Sequence, residues 1–168
     1  IYRWRQFNCC WCYAIGESMI RGIEFKINIQ HKDILNEILK DISLDNYDFY
    51  ISEDEVICDN GKAQMQIPKK GDGKLFENLA IYIPYYVNFI NLRAYKKGQE
   101  DDQVNNYSEF VNSECQFIIL IVDGQYLEIY SKSDNLILQF IKNAVQLKGE
   151  EIKIKTDYDD GRVRMSVW

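Results

Sequence analysis

One histidine, five cysteines and a pair of arginines near the end are the side chains of this 168-residue chain with which reactive chemistry would begin. A Ser-His-Asp or Cys-His pair has to recruit His31, the only imidazole, and His31 opens a predicted surface helix where a solvated or capping role is expected. Cys9, Cys10 and Cys12 crowd three thiols together, whereas zinc sites pair C-x₂₋₄-C with a second pair or with histidines. The run KKGDGK (69–74) has the glycines and lysines of a phosphate loop without its spacing. No metal and no cofactor are therefore expected. Cys115 precedes an apolar run, where a thiol is expected to be a small inert hydrophobe rather than a nucleophile.

Two constellations remain. Arg162 and Arg164 share one face of an extended segment and have the geometry to clamp a carboxylate or phosphate. Tyr126, Glu128 and Tyr130 share one face of a strand and could line an aromatic cleft or simply face solvent. For the arginines, register offers a test. If Asp160-Gly161 is a two-residue turn, Arg162 opposes Asp159, Arg164 opposes Asp157, and Ile154 meets Val167 on the other side. A four-residue loop instead sets Lys155 against Arg164, which repels. The paired register is favoured and turns the arginines into a charge ladder.

The elements that must position these residues follow from periodicity. Residues 20–28 alternate as a half-buried strand, and Ile34, Leu35, Ile38, Leu39 and Ile42 form one stripe of a helix over 32–42. Residues 47–67 read as two or three short strands with turns at Ser52–Asp54 and Asn60-Gly61. A short helix is expected over 74–80. Residues 85–95 are apolar on both faces, as in an interior strand. Asn106 and Glu109 form a capping box opening a short helix over 107–113. Asp123-Gly124 between apolar runs marks a hairpin over 117–130. A two-residue turn there would pair Leu120 with Leu127 and Ile118 with Ile129 on one face. The other face would carry Phe117, Ile119, Ile121, Tyr126, Glu128 and Tyr130. Ser133 or Asp134 caps a helix over 134–147 that Gly149 can end, and 151–168 reads as a last hairpin. The order predicts an α+β fold, a largely antiparallel sheet with two main helices packed on one face.

With 46% apolar and 27% charged residues, the composition is that of one globular domain. No apolar run reaches the roughly 18 residues of a membrane helix. The net charge of −6 opposes nonspecific nucleic-acid binding. Residues 1–18 lack periodicity, and Gly16-Glu17-Ser18-Met19 back-translates to a bacterial ribosome-binding site ahead of a start codon. Residues 1–18 are therefore expected to be a non-native leader, translated upstream sequence or a vector-derived scar, with one domain over 19–168. Only Cys58 and Cys115 follow Met19, so a reducing, cytoplasmic setting is expected.

The segments MIRGIEF (19–25), INLRAY (90–95), YSEFVNSECQFIILIVDGQYLEIYSK (107–132) and TDYDDGRVRMSVW (156–168) resemble a family of Gram-positive bacterial proteins of about 150 residues, the domain of unknown function 2691. The resemblance runs from Met19 to Trp168, departs around 52–74, and implies no catalytic residues. The resulting expectation is a small, acidic, cytoplasmic protein-interaction module without catalytic activity, immunity- or antitoxin-like, with a protein partner and neither nucleic acid nor membrane. The alternative is a small-ligand binder or enzyme using the face of Tyr126, Glu128 and Tyr130 with Arg162 and Arg164.

Overall fold

Among the residues that the structure describes, seven antiparallel strands form one sheet, and the order in which they lie explains which side chains meet. The computed structural model describes residues 19–58, 64–75 and 84–167. Among these the elements are β1 (Ile20–Lys26), α1 (Ile34–Ile38), β2 (Tyr47–Cys58), β3 (Lys70–Asp72), β4 (Tyr85–Lys96), α2 (Tyr107–Asn112), β5 (Cys115–Val122), β6 (Tyr126–Ser131), α3 (Asp134–Gln146) and β7 (Glu150–Thr156). The sheet order is β3-β2-β4-β5-β6-β1-β7, every neighbour antiparallel. The fold is α+β. Residues 1–18, expected to be a leader, the expected Asn60-Gly61 turn and most of the helix expected over 74–80 lie outside the described residues.

One face of the sheet buries Ile23, Phe25, Phe49, Leu92, Phe117, Ile119 and Ile129 beneath α1 and α3, which supply Ile34, Leu35, Ile38, Phe140 and Ala144. Both main helices thus lie on one face, as the stripes required. Asn143, fully buried on α3, donates to the carbonyls of Ile38 and Lys40 at 2.9 and 2.8 Å and so satisfies the open end of α1. Helix α1 is shorter than the expected 32–42. Asp33 and Asp41 take φ of 54° and 62°, left-handed values that a helix cannot continue through.

The opposite face is covered too. Phe110 of α2, Val104, and Met165 and Val167 of the terminal segment pack on Ile118, Leu120 and Tyr130. Asn106 Oδ1 accepts from the Glu109 amide at 2.9 Å while Glu109 Oε1 accepts from Asn106 Nδ2 at 2.7 Å, the reciprocal cap that opens α2.

Three expectations are corrected. First, Asp123-Gly124 does reverse the chain, with φ of 52° and 64°, but the ladder that follows pairs Ile121 with Leu127, Ile119 with Ile129, Leu120 with Glu128 and Ile118 with Tyr130. Gln125 leaves the ladder because its carbonyl accepts from the Ile27 amide at 2.9 Å, at the end of β1. The resulting one-residue shift moves Leu127 and Ile129 to the helix side, and puts Ile118 and Leu120 beside Glu128 and Tyr130. Second, Ser52–Asp54 is no reversal. Strand β2 runs through it with a bulge between Ser52 and Glu55, Glu53 taking φ of 51°. Third, the last hairpin does not form. After β7, Asp159 Oδ1 accepts from the Thr156 amide at 2.7 Å and closes a turn. The chain then crosses the α2 side of the sheet without strand pairing.

Candidate functional site

Register across the sheet lays two rows of side chains on the α2 side. One runs Ser52, Asn91, Leu120, Glu128 and Glu24; the next runs Tyr50, Arg93, Ile118, Tyr130 and Gly22. The first row is polar at both ends with Leu120 in the middle, and the second places Ile118 between Arg93 and Tyr130. The terminal segment lies over this pattern, and two polar assemblies form on either side of the apolar centre.

The first assembly gathers three of the five side chains singled out from the sequence. Glu24 and Glu128 face each other directly across β1 and β6, a repulsive pairing unless a cation joins it. Lys155 from β7 supplies it, its Nζ 3.1 Å from Glu24 Oε2, 2.6 Å from Glu128 Oε2 and 3.1 Å from Asp160 Oδ1. Arg162 Nε donates to Glu128 Oε2 at 2.8 Å, and its Nη2 to Glu128 Oε1, a bidentate grip. Arg162 Nη1 also holds the carbonyls of Arg164 and Ser166 at 3.1 and 2.8 Å. The Tyr130 hydroxyl lies 3.2 Å from Glu128 Oε2 and 3.1 Å from Asp160 Oδ1. The opposition of Arg162 to Asp159 is therefore replaced by a half-buried pair with Glu128.

Electrostatics show what this assembly does. Burial alone would raise the Glu128 carboxyl, but hydrogen bonds from Arg162 and Lys155 reverse that and hold it down at about 2. Lys155 is pulled down by burial and pushed up further by Glu128, for a net rise. Burial and the Glu128 charge raise the Tyr130 hydroxyl. Every group is driven away from neutrality, the reverse of what acid–base catalysis at neutral pH needs. The donors that Arg162 would offer a ligand are spent on Glu128 and two carbonyls. The assembly is a closed ionic lock for the terminal segment.

Tyr126 and Arg164 do not join it. Tyr126 is half exposed, with Lys26 Nζ 5.4 Å from its ring centre. Arg164 is exposed and forms no ion pair among the described residues. His31 is exposed. Cys115 is fully buried and burial pushes its thiol up to about 12, so it is no nucleophile at neutral pH. Among the described residues no group of three or more His, Cys, Asp or Glu side chains is placed to hold a metal ion, and no helix is long and apolar enough to cross a membrane.

The second assembly was not singled out from the sequence. A groove of about 1010 Å³ lies between the bulge of β2, the middle of β4, the loop 101–106 and residues 163–166. Arg93, 7% exposed, donates to both Asp101 oxygens at 2.9 and 2.6 Å and to Ser52 Oγ at 3.1 Å. Tyr95 adds a hydroxyl to Asp101 at 2.8 Å. Burial would raise the Asp101 carboxyl, but Arg93 and Tyr95 outweigh it and hold it below its ordinary value. Asn91, 2% exposed, gives its amide hydrogens to the Met165 carbonyl at 2.7 Å and to Glu53 Oε2 at 3.3 Å. Its Oδ1 is buried with no partner. Exchanging the amide oxygen and nitrogen does not help, because both neighbours are acceptors. The signal available in the sequence was Asn91 and Arg93, two polar residues two apart inside a mostly apolar strand. The apolar count of residues 85–95 hid them.

The chain matches, over residues 20–166, the family described as protein of unknown function (DUF2691). It is 31% identical over 153 residues to the Bacillus subtilis (strain 168) protein named uncharacterized protein YncE, spanning 89% of this chain and 100% of that protein. No solved structure matches it. The chain belongs to the DUF2691 family.

Proposed function

We propose that this member of the DUF2691 family is a binding protein whose site is the groove floored by Asn91 and Arg93, and that its occupant is a small polar molecule. One observation carries the reading: a buried carboxamide oxygen left without a donor. Such a group costs roughly 1–3 kcal/mol in a folded protein, and native structures seldom keep one without a use. Asn91 lines the groove, and a ligand N–H or O–H there would satisfy the oxygen once the side chains covering it give way. The groove is polar, preformed, and framed by the Arg93–Asp101 pair and by backbone tied down at Met165, whose amide donates to the Asn105 carbonyl at 2.8 Å. This moves the ligand-binding alternative from the Glu128 face to the neighbouring strands.

A thermal-shift screen of sugars, nucleosides, amino acids and organic acids tests it. A ligand at a hundred times its Kd adds about 2.7 kcal/mol, some 5–11 °C for a chain of this size. Asn91→Leu should remove the ligand-induced increment, whatever its effect on the unliganded midpoint. A screen without a hit, or a hit that survives Asn91→Leu, ends the reading.

The second reading, a protein-interaction module of immunity or antitoxin type, rests on Leu138 and Val145. They are 64% and 60% exposed, two turns apart on α3, in an acidic chain. Capture of a specific partner from a host lysate by the tagged protein, lost on Leu138→Lys with Val145→Lys, would support it.

A further inference from the structure

Resting on the ligand-binding reading of the groove, we infer that its ligand is an anion: a small molecule with one carboxylate or phosphate group and, at its other end, a hydroxyl or amide donor. The donor end belongs at Asn91 Oδ1, where an acceptor waits without a partner. The anionic end belongs at the rim, where cations gather despite the chain's net charge of −6.

The groove is lined by Lys69, Lys70, Arg93 and Arg164 against two acidic side chains, Glu53 and Asp101. Arg93 and Asp101 neutralise each other in a buried bidentate pair. Glu53 Oε2 is engaged by the Asn91 amide and the Val167 amide at 3.3 and 3.0 Å. Of the rim cations, Lys70 leans on Glu100 at 3.1 Å, with the two side chains 53% and 82% exposed. A pair so open to water is weakly held, so a ligand anion can take over the ammonium. Lys69 is itself open to water but pairs with Asp54, whose carboxylate is buried, and so stays with that partner. Arg164 is exposed and forms no ion pair among the described residues, and a guanidinium so placed can grip a carboxylate or phosphate through two parallel donors. The backbone of Arg164 is fixed, because Arg162 holds its carbonyl at 3.1 Å. The ionic lock thus serves the groove by presenting the one arginine it does not consume. The Tyr50 ring and Val104 give the cavity its apolar wall, which suits the carbon skeleton between the two ends.

Isothermal titration of the full chain with matched pairs tests this: glycerol 3-phosphate against glycerol, glucose 6-phosphate against glucose, and gluconate against glucose. The pairs separate phosphate from carboxylate and each from the neutral skeleton. At least one anion should bind about tenfold or more tighter than its neutral partner. Arg164→Gln, a change at an exposed side chain, should lower that affinity by a similar factor, with the thermal midpoint of the free protein unchanged. Neutral and charged members binding equally, or an affinity indifferent to Arg164→Gln, overturns the anionic class and leaves the groove as a site for a neutral ligand. Anion binding that Asn91→Leu does not weaken puts the ligand elsewhere. No heat with any member overturns both the class and the groove.

Discussion

Glu128 shows how far a side chain's type is from its role. As a carboxylate between two tyrosines it suggested a cleft; its actual neighbours, Lys155 and Arg162, come from two segments whose convergence no local pattern announces. Because its carboxyl sits at about 2 in the folded chain, below the usual unfolded value near 4.3, it stabilises the fold fully above that value. The contribution fades as pH falls toward 2. The shift corresponds to about 3 kcal/mol, so chemical denaturation at pH 7 and pH 3 should show Glu128→Gln destabilised at the first and by only about half as much at the second. A constant difference between the two pH values would mean that Glu128 acts by packing alone. Cys115 needs less: with its thiol raised to about 12 and fully buried, a colorimetric disulfide reagent at pH 8 should label it only at the rate of unfolding. In a variant with Cys9, Cys10, Cys12 and Cys58 changed to Ser, so that Cys115 is the one thiol left, immediate labelling of the native protein would refute the burial. The inert thiol was legible from its place before an apolar strand. The groove was not, since Asn91 becomes unusual only when its two amide hydrogens are spent elsewhere.

Elements were the most legible scale, wherever the governing interaction was local. The Asn106–Glu109 cap, the stripe of α3 and the reversal at Asp123-Gly124 are all set by residues within a few positions of each other. Register was not. Gly124 takes φ of 64° and its amide reaches the Asn88 carbonyl at 2.8 Å, while Gln125 turns toward β1. A third strand thus decided the faces of a two-stranded unit. The same applies to β1 itself. A Cβ added to Gly22 would lie 1.9 Å from the Ile129 carbonyl oxygen, a clash with backbone that no rotamer relieves. Gly22→Ala should therefore force β1 from β6, costing well over the about 1 kcal/mol of an ordinary strand substitution. Amide exchange should accelerate along Gly22–Lys26 first. An urea midpoint within error of wild type would show that the strands separate there without penalty. The helix over 32–42 failed for a related reason. Its apolar stripe was real, but Asp33 and Asp41 are held in left-handed conformations, with the Asp33 amide donating to the Tyr85 carbonyl at 3.0 Å, and the stripe is buried by a turn of helix flanked by loops.

At the scale of the whole molecule, the terminal segment is what makes both faces of the sheet interior. Without it, Ile118, Leu120 and Tyr130 lose the cover of Met165 and Val167. Asn91 loses the Met165 carbonyl, and Glu128 loses its guanidinium. The segment's own pattern gave little warning, because Arg162, Arg164 and Met165 read equally well as a strand. What decided against a hairpin is the energy available on the sheet: a bidentate, half-buried ion pair and two buried apolar side chains outweigh a short ladder at an exposed edge. The segment is held at three separate places, by Arg162 on Glu128, by Met165 between Asn91 and Asn105, and by Val167 on Glu53. Its attachment should therefore be cooperative with the fold rather than that of a tail. Met165, 2% exposed, tests this with a single change, since Met165→Ala removes apolar cover without touching a charge. The loss should be about 2–5 kcal/mol, read from urea denaturation, with one transition by both tyrosine fluorescence and circular dichroism. Two separated transitions, the first confined to fluorescence, would instead show a segment that lifts on its own and a sheet that survives its departure.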